Sequence, residues 1–219
     1  EQMLDKLNYV NLHSHSHFSI LDGVAKYEDY INIIKRENQL PYLAMTEHGY
    51  LGSTINFLDV CKEHNINSIV GNEIYMTTNE DMAEWKAGKI KAPRRGHLVL
   101  LAKNKKGYKE LVRINNIAIK RKQVFISRIQ RWYILITPDI IEEVNPKNLI
   151  VLNACLGSYA FAPAIFDDDL KETKTRVDWL RNQFGEDYYF EFQTLNHPKQ
   201  RLMNKLQYEF MKKYKDQKA

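Results

Sequence analysis

Residues 97–104 read His-Leu-Val-Leu-Leu-Ala-Lys-Asn, and this stretch decides the class of fold. Leu98 to Ala102 are continuously apolar, which is typical of a strand that is buried on both faces of a sheet. A helix is predicted directly after it, from about Lys105 to Ile119. A buried strand followed by a helix is the repeating unit of the α/β folds.

The same alternation continues in both directions along the chain. Further strands are predicted at residues 9–12, 41–46, 68–76, 149–152 and 188–192, and further helices at residues 27–37, 53–64, 170–184 and 198–214, with another helix start at residue 137. Residues 81–95 read as a polar excursion, and residues 120–133 as a loop carrying a short strand. Sustained strand–helix alternation predicts a parallel α/β fold. Periodicity leaves open whether the sheet is open or closed into a barrel.

Composition narrows the class of protein. The 219 residues are 44% hydrophobic and 27% charged, which is typical of a globular domain. No 18-residue apolar run and no secretory signal is present, so we expect no membrane association and a cytoplasmic location. Only Cys61 and Cys155 occur, which excludes a disulfide scaffold. No glycine-rich nucleotide-binding motif follows any predicted strand, so P-loop and dinucleotide binding are disfavoured.

Positive charge is concentrated in one block of the chain. Between Lys86 and Arg131 there are fifteen Lys or Arg residues and one acid, Glu110, for a local charge of +14 in a chain whose net charge is +5. Such a block favours contact with a polyanion, although a solvated basic face is an equally simple interpretation. The expected DNA-backbone contacts are Lys103, Lys105, Lys106, Lys109, Arg113, Lys120, Arg121 and Lys122.

Three histidines alternate where the first predicted strand ends. On an extended segment His13, His15 and His17 would point to one face. A metal ion is the usual reason to place neutral imidazoles together, and α/β sites lie at the carboxyl ends of strands. His13 and His15 are therefore predicted metal ligands, the alternative being an exposed histidine-rich turn. His17 is set apart, because the chain is already turning there.

Other candidate ligands recur at the ends of predicted strands. Together they make a mixed nitrogen, oxygen and sulfur set that suits zinc, manganese or iron. The candidates are His48 after the second strand, Glu73 on the third, His97 at the start of the fourth and Cys155 after the fifth. His64 and His197 fall outside this pattern and are expected to be structural, and Cys61 is expected in the core.

Five motifs in order resemble one known family. They are His13-x-His15-Ser16-x-Phe18-Ser19-x-Leu21-Asp22-Gly23, Thr46-Glu47-His48-Gly49, Gly71-x-Glu73-x-Tyr75, residues 97–104 and Ala154-Cys155-Leu156. On these motifs the chain resembles the PHP (polymerase and histidinol phosphatase) family. The Leu-Asp-Gly and His-Leu-x-Leu-Leu-Ala-Lys-Asn segments are similar to the branch found near the N-terminus of bacterial DNA polymerase III alpha subunits. The resemblance covers nearly the whole chain, residues 1–219, as one domain.

The resemblance implies a fold, a metal centre and an activity. The implied fold is a distorted TIM-like barrel of β/α units with up to three divalent metal ions at its C-terminal rim. The implied ligands are His13, His15, Asp22, His48, Glu73, His97 and Cys155, and His13, His15, His48 and Glu73 are the implied catalytic residues. Active members are implied to be phosphoesterases. In polymerases the domain can act as a 3′–5′ proofreading exonuclease on DNA.

The sequence also departs from the family pattern. The family ends with an Asp-x-His pair on a late strand, whereas this sequence reaches Lys218-Ala219 where that strand is expected to begin. We therefore expect an incomplete barrel, with the missing strand supplied by the remaining polymerase polypeptide or a separate fragment. Glu47 replaces the usual Asp, and Asn72 a frequent Cys. The chain is also too short to hold a polymerase active site.

Three functions follow from these features. The first is a metal-dependent phosphodiesterase acting on a DNA 3′ end. The second is a non-catalytic metal-binding scaffold that docks polymerase, exonuclease or other replisome subunits. The third is a small-molecule phosphatase of the histidinol-phosphate type, against which the basic block and the polymerase-like motifs argue.

Overall fold

The structure is a computed structural model that describes residues 8–20 and 22–214. Within them the helices are α1 (Tyr27–Arg36), α2 (Thr54–Glu63), α3 (Asn79–Lys86), α4 (Lys105–Lys120), α5 (Pro138–Glu142), α6 (Ala162–Phe166), α7 (Leu170–Phe184) and α8 (Pro198–Lys213). The strands are β1 (Tyr42–Met45), β2 (Asn67–Met76), β3 (Gly96–Ala102), β4 (Val124–Ile126), β5 (Trp132–Ile136), β6 (Leu149–Leu152) and β7 (Tyr188–Tyr189). The predicted strand–helix alternation is confirmed. Expectations for Leu21 and for the segment ending at Lys218-Ala219 lie outside the described residues.

The strands form a mixed sheet. Its order is β4-β5-β2-β3-β6-β7, and β1 also pairs with β2. Strands β1 and β5 run parallel to β2, and β7 runs parallel to β6. Strand β3 is antiparallel to both β2 and β6, and β4 is antiparallel to β5. The prediction of a parallel sheet is therefore wrong for β3 and β4.

The direction of β3 follows from the connection that precedes it. A parallel neighbour requires a crossover to the opposite end of the sheet, whereas residues 77–95, which include the unexpected helix α3, return the chain to the end where β2 finishes. Strand β3 therefore starts at that end, with His97 opposite Tyr75 and Val99 opposite Glu73. His97 reaches the same rim as the residues that follow β1 and β6, although it opens its strand.

The segment before β1 is extended but is not a strand, so the prediction at residues 9–12 is wrong. It lies beside β1 and contacts it at few points. The Thr46 backbone N–H donates to the Ser14 carbonyl at 3.0 Å, and the Ser14 hydroxyl donates to the Ala44 carbonyl at 2.6 Å. The Ser14 backbone N–H donates to the Thr46 hydroxyl at 3.0 Å. Hydroxyl groups thus take up backbone partners that a regular ladder would use.

The last strand is shorter than predicted. Strand β7 covers only two of the five residues expected at 188–192. Beyond it, the backbone N–H of Glu191 donates to the Asn153 side-chain oxygen at 2.5 Å rather than to a neighbouring strand. This side-chain contact ends the ladder and turns residues 191–193 toward the segment that carries His13.

The central strands present different chemistry on their two faces. On one face Ile74, Met76, Leu98 and Leu100 pack in a buried cluster with helices α4 and α7. Because side chains alternate along a strand, Glu73 lies on the opposite face of β2. A smaller apolar cluster of Val99, Leu101, Leu152 and Ala154 lies on that second face. A second buried cluster joins α1 and α2 to β1. The helices thus cover one face, and the polar side chains collect on the other.

A glycine at the start of β3 is required by close backbone packing. A Cβ at Gly96 would lie 2.4 Å from Tyr159 Cα and 2.8 Å from Tyr159 N. We expect Gly96→Ala to lower the free energy of unfolding by about 1–3 kcal/mol, because the backbone around Tyr159 must shift. Urea denaturation measures this, with Lys91→Ala at an exposed position of the preceding connection as the control. An unfolding midpoint equal to that of the unmodified protein would contradict the packing described.

Candidate metal centre

A single buried carboxylate lies at the centre of four histidines. Glu73, on β2, has a side chain that is 1% exposed. Its Oε1 atom lies 3.4 Å from His13 Nε2 and 2.8 Å from His97 Nδ1. Its Oε2 atom lies 3.2 Å from His15 Nε2 and 2.6 Å from His48 Nδ1. The four rings come from three segments: the one before α1 for His13 and His15, the turn after β1 for His48, and β3 for His97.

The other two predicted ligands complete the cluster. Cys155, in the turn after β6, places its Sγ 3.4 Å from His97 Nδ1 and 4.0 Å from Glu73 Oε1. Asp22 contacts His48 Nε2 through its carboxylate. All seven residues, together with Gln193, line one cavity of about 290 Å³. The structure therefore brings together every residue that was predicted to bind metal.

The donor set fits transition-metal ions. Two groups have one ligand atom per residue within 4.8 Å of one another: His13 with His15 and Glu73, and Glu73 with His97 and Cys155. Glu73 belongs to both groups, so its carboxylate would serve both sites if each held an ion. Among the described residues, neither His48 Nδ1 nor Glu73 Oε2 has a partner with hydrogen-bond geometry. Buried polar atoms without partners indicate a missing ligand, and imidazole, carboxylate and thiolate suit zinc, manganese or iron.

Electrostatics in the metal-free cluster hold protons on two rings. Burial raises the pKa of Glu73, but close contacts with the four histidine rings outweigh burial and hold this pKa far below its usual range. Burial lowers the pKa of His13, but hydrogen bonds to Glu191 and Glu73 raise it to about 10. Burial likewise lowers the pKa of His97, but contacts with Cys155 and Glu73 raise it to about 10. Protonated rings therefore occupy the ligand positions at neutral pH.

Metal binding at neutral pH is expected to release protons. His13 and His97 have raised pKa values, so their charged forms stabilise the metal-free fold fully below about pH 6.5, and this contribution is lost as pH rises through about 10. A metal needs the neutral ring, so apparent affinity rises with pH over that interval. Calorimetry in buffers of different ionisation enthalpy measures the release. Identical heats in all buffers would contradict this protonation.

Glu191 joins the cluster although the sequence did not single it out. Its Oε1 accepts from His13 Nδ1 at 2.7 Å and from Gln193 Nε2 at 2.7 Å. This contact fixes the His13 ring with Nε2 toward Glu73, an arrangement that is common behind metal-binding histidines. The available signal was a lone acid between Phe190 and Phe192, within the strand predicted at residues 188–192. Only the turn after β7 brings it to the site.

Glu47 supports the loop from behind the cluster. It is 2% exposed and accepts hydrogen bonds from the Ser16 and Ser19 hydroxyls and from the Tyr27 hydroxyl. Ser19 also accepts from the backbone N–H of His48 at 3.2 Å. Glu47 therefore anchors the loop that carries His15, consistent with its omission from the predicted ligands.

The remaining histidines and Cys61 lie outside the centre, as expected. His17 is exposed and packs against Phe18. His64 lies near Lys35 on the surface, and the His197 ring accepts from the backbone N–H at the start of α8. Cys61 is 1% exposed in the core beneath α1 and α2, which confirms its predicted position.

Seven of the eight predicted DNA-contacting residues fall at the two ends of α4. Lys103, Lys105, Lys106 and Lys109 lie at its start, at the end of β3 opposite to His97. Lys120, Arg121 and Lys122 lie at its other end, with Arg113 between the two groups. Several are already paired: Lys103 with Asp187, Arg113 with Glu110, and Arg121 with Asp139 and Glu143.

Arginines that the sequence left unassigned approach the cluster more closely. A second cavity of about 360 Å³ shares Asp22, His48 and His97 with the metal-ligand cluster. Arg95 and Arg131 line its far side. Both belong to the basic block, but only the fold shows that they face the cluster.

The sequence of this chain matches a known family of protein domains. The PHP domain family model matches residues 11–195, so the chain belongs to the PHP family and has its distorted TIM-like fold. Among the described residues no helix is both long and apolar enough to span a bilayer.

The chain is similar in sequence to DNA polymerase III alpha subunits of several bacteria. The chain is 33% identical over 213 residues to a DNA polymerase III subunit alpha of Thermus aquaticus, covering 97% of this chain and 17% of that protein. It is 32% identical over 187 residues to the same subunit of Borreliella burgdorferi, covering 84% and 15%. For Aquifex aeolicus the identity is 30% over 213 residues, covering 94% and 17%. The chain spans about one sixth of these relatives.

One solved structure is similar at a low level. A Bifidobacterium adolescentis protein, provisionally named a metal-dependent phosphoesterase, aligns with 56% of this chain and 38% of its own, at 14% identity and a TM-score of 0.35. That similarity is too low to carry an argument about function.

Proposed function

We propose that this chain is the PHP domain of a DNA polymerase III alpha subunit and a metal-dependent phosphodiesterase that acts as a 3′–5′ exonuclease on DNA. One observation carries the proposal: Glu73 lies between two potential ligand groups, one of histidines and one of histidine with thiolate. Shared carboxylates of this kind are common where two ions act together on a phosphate. The relatives supply the DNA context, and a replicative role places the protein in the cytoplasm.

The roles of the residues follow from their contacts. Divalent ions, when bound, would supply an activated water and neutralise charge on the phosphate oxygens. His13, His15 and Glu73 would hold one ion, and Glu73, His97 and Cys155 would hold a second. His48, in contact with both Glu73 and Asp22, would bind a further ion with Asp22 or orient Glu73. His13, His15, His48 and Glu73 are the proposed catalytic residues.

The basic residues of α4 are proposed to bind the DNA backbone. Contacts between Lys or Arg and phosphates give binding that ignores sequence and weakens steeply with salt. We expect neutralising Lys103, Lys105, Lys106 and Lys109 together to flatten the dependence of log affinity on log salt. Fluorescence anisotropy with a labelled single strand measures this slope. A slope near zero in the unmodified protein would contradict binding to the DNA phosphate backbone.

The proposed polypeptide partner is a further strand of the polymerase. An apolar groove of about 1040 Å³ runs beside β7 and is lined by Tyr9, Leu12, Ile150, Tyr189, Phe192 and Leu195, among others. Leu12, Phe192 and Leu195 are each more than a third exposed. His13 and Glu191 also line the groove, so a strand seated in it would end at the metal-ligand cluster. Short strands with open edges pair readily with a further strand. Other replisome subunits are proposed as further partners.

The test is release of nucleotides from a 3′-labelled DNA strand with manganese or zinc, with Glu73→Gln as the inactive variant. The proposal expects metal-dependent release from the 3′ end that chelation abolishes. Metal binding without hydrolysis, even within the whole polymerase, would support a scaffold instead. Faster hydrolysis of histidinol phosphate than of DNA would favour a small-molecule phosphatase.

A further inference from the structure

The second cavity has one wall of metal ligands and one wall of arginines. His48 and His97 belong to the first wall, and Arg95 and Arg131 to the second. Tyr75 lies between them: its ring centroid is 5.3 Å from that of His97 and 6.0 Å from that of His48. The cavity measures about 360 Å³, which is within the range of small-ligand sites. A group bound here would therefore meet both walls.

The two arginines are held by aromatic rings rather than by acids. The Arg95 guanidinium carbon lies 4.4 Å from the Tyr133 ring centroid and 5.0 Å from that of Phe125. The Arg131 guanidinium lies 5.4 Å from the Tyr133 ring, and its Nη2 donates to the Tyr75 hydroxyl at 3.0 Å. Among residues 8–20 and 22–214 no carboxylate pairs with either arginine. Neither arginine is thus in an ion pair, although the Asp22 carboxylate also lines this cavity.

Arg94, which precedes Arg95 in the chain, differs from Arg95 and Arg131 in having an acidic partner. Arg94 also borders the cavity and is exposed, as Arg95 is, but its guanidinium pairs with Asp167 at 3.2 Å. Ring contacts hold Arg95 and Arg131 in place while leaving guanidinium N–H groups available. Planar guanidinium groups held in this way bind phosphate oxygens with two parallel hydrogen bonds.

We propose that Arg95 and Arg131 bind the phosphate of the 3′-terminal nucleotide, and that the cavity receives this nucleotide as a deoxynucleoside 5′-monophosphate. The inference rests on the proposed function, because the metal-ligand wall defines which phosphate faces the arginines. In hydrolysis at a 3′ end, water oxygen bonds to the phosphorus that joins the last two nucleotides, and the bond from this phosphorus to the 3′-oxygen of the penultimate nucleotide breaks. That oxygen leaves as the new 3′-hydroxyl of the strand, and the phosphate stays on the 5′-oxygen of the released nucleotide. The arginines therefore contact the same phosphate in substrate and product.

The test is equilibrium binding of a labelled deoxynucleoside 5′-monophosphate, measured with metal bound and again with chelator present. We expect Arg95→Ala and Arg131→Ala each to weaken binding at least tenfold in both conditions. Arg95→Lys and Arg131→Lys keep the positive charge but lack the planar guanidinium group, so their loss of nucleotide affinity should be smaller. Arg36→Ala, which removes an exposed arginine from the end of α1, is the matched control and should bind as the unmodified protein does.

Two further probes decide the nature of the ligand. Inorganic phosphate should bind more weakly than the nucleotide, and the deoxynucleoside without phosphate should not bind. Nucleotide binding within twofold of normal in both alanine variants, with unchanged circular dichroism and metal content, would overturn the proposal. Equal affinity for inorganic phosphate and nucleotide would also overturn the assignment of a nucleotide. The binding measurement with chelator requires neither metal nor hydrolysis. Absence of hydrolysis alone would therefore contradict the proposed exonuclease activity, while the nucleotide-binding measurement would still test the role of the two arginines.

Discussion

Replacing Glu73 by Gln is expected to abolish stoichiometric metal binding, the largest single effect in the molecule. Among residues 8–20 and 22–214, Glu73 is the one carboxylate in contact with all four histidines, and it belongs to both potential metal groups. Glutamine has nearly the same shape but no charge. The packing around the four histidines is therefore kept, while the negative charge that attracts a metal cation is lost. The measurement is metal per chain by mass spectrometry after dialysis.

The control for this variant must separate charge from position. Glu209→Gln removes the same charge from the exposed side of α8 and should leave metal content unchanged. Glu73→Asp keeps the charge on a shorter side chain and should retain part of the metal. Full metal content in Glu73→Gln, with normal circular dichroism, would show that Glu73 is not a ligand.

Replacing Glu191 is expected to weaken metal binding by about 10–100-fold without removing the site. Glu191 does not belong to either potential metal group, but its carboxylate accepts from His13 Nδ1 at 2.7 Å and orients the ring. Glu191→Ala removes that acceptor altogether. Glu191→Gln keeps an oxygen that can accept the bond, so its loss of affinity should be smaller.

Competition with a fluorescent zinc chelator measures the affinities of both variants. The Glu209→Gln variant again serves as the matched control. Affinity within twofold of normal for Glu191→Ala would contradict a role in orienting His13. Complete loss of metal in Glu191→Gln would instead assign Glu191 to the ligands themselves.

Much of the fold could be predicted from local pattern. The apolar run at residues 98–101 is buried on both faces, as continuous apolar strands usually are. The direction of β3 could not be predicted, because it depends on where residues 77–95 return the chain. The segment at residues 9–12 has the composition of a strand, but hydroxyls of Ser14 and Thr46 take up hydrogen bonds that a ladder would need.

The candidate site was predictable where chemistry was concentrated in short motifs. The seven expected ligands converge on one cavity. His48, His97 and Cys155 lie close to strand ends, whereas Glu73 lies within β2, and His13, His15 and Asp22 come from the segment before α1. Glu191, Arg95 and Arg131 were missed for a different reason. Acids and arginines are common surface residues, and only tertiary packing distinguishes these three from the others. Their proximity to the cluster depends on turns between strands, which carry little signal in the sequence.

The most direct test of the metal centre is the metal content of the purified, untagged protein after equilibration with zinc or manganese and removal of free ions. Mass spectrometry of metals gives the number of ions per chain. The arrangement around Glu73 predicts at least one tightly bound ion, and its loss from the His13→Ala, His15→Ala double variant. A folded chain that retains no metal, or a double variant with unchanged metal content, would contradict the centre described here.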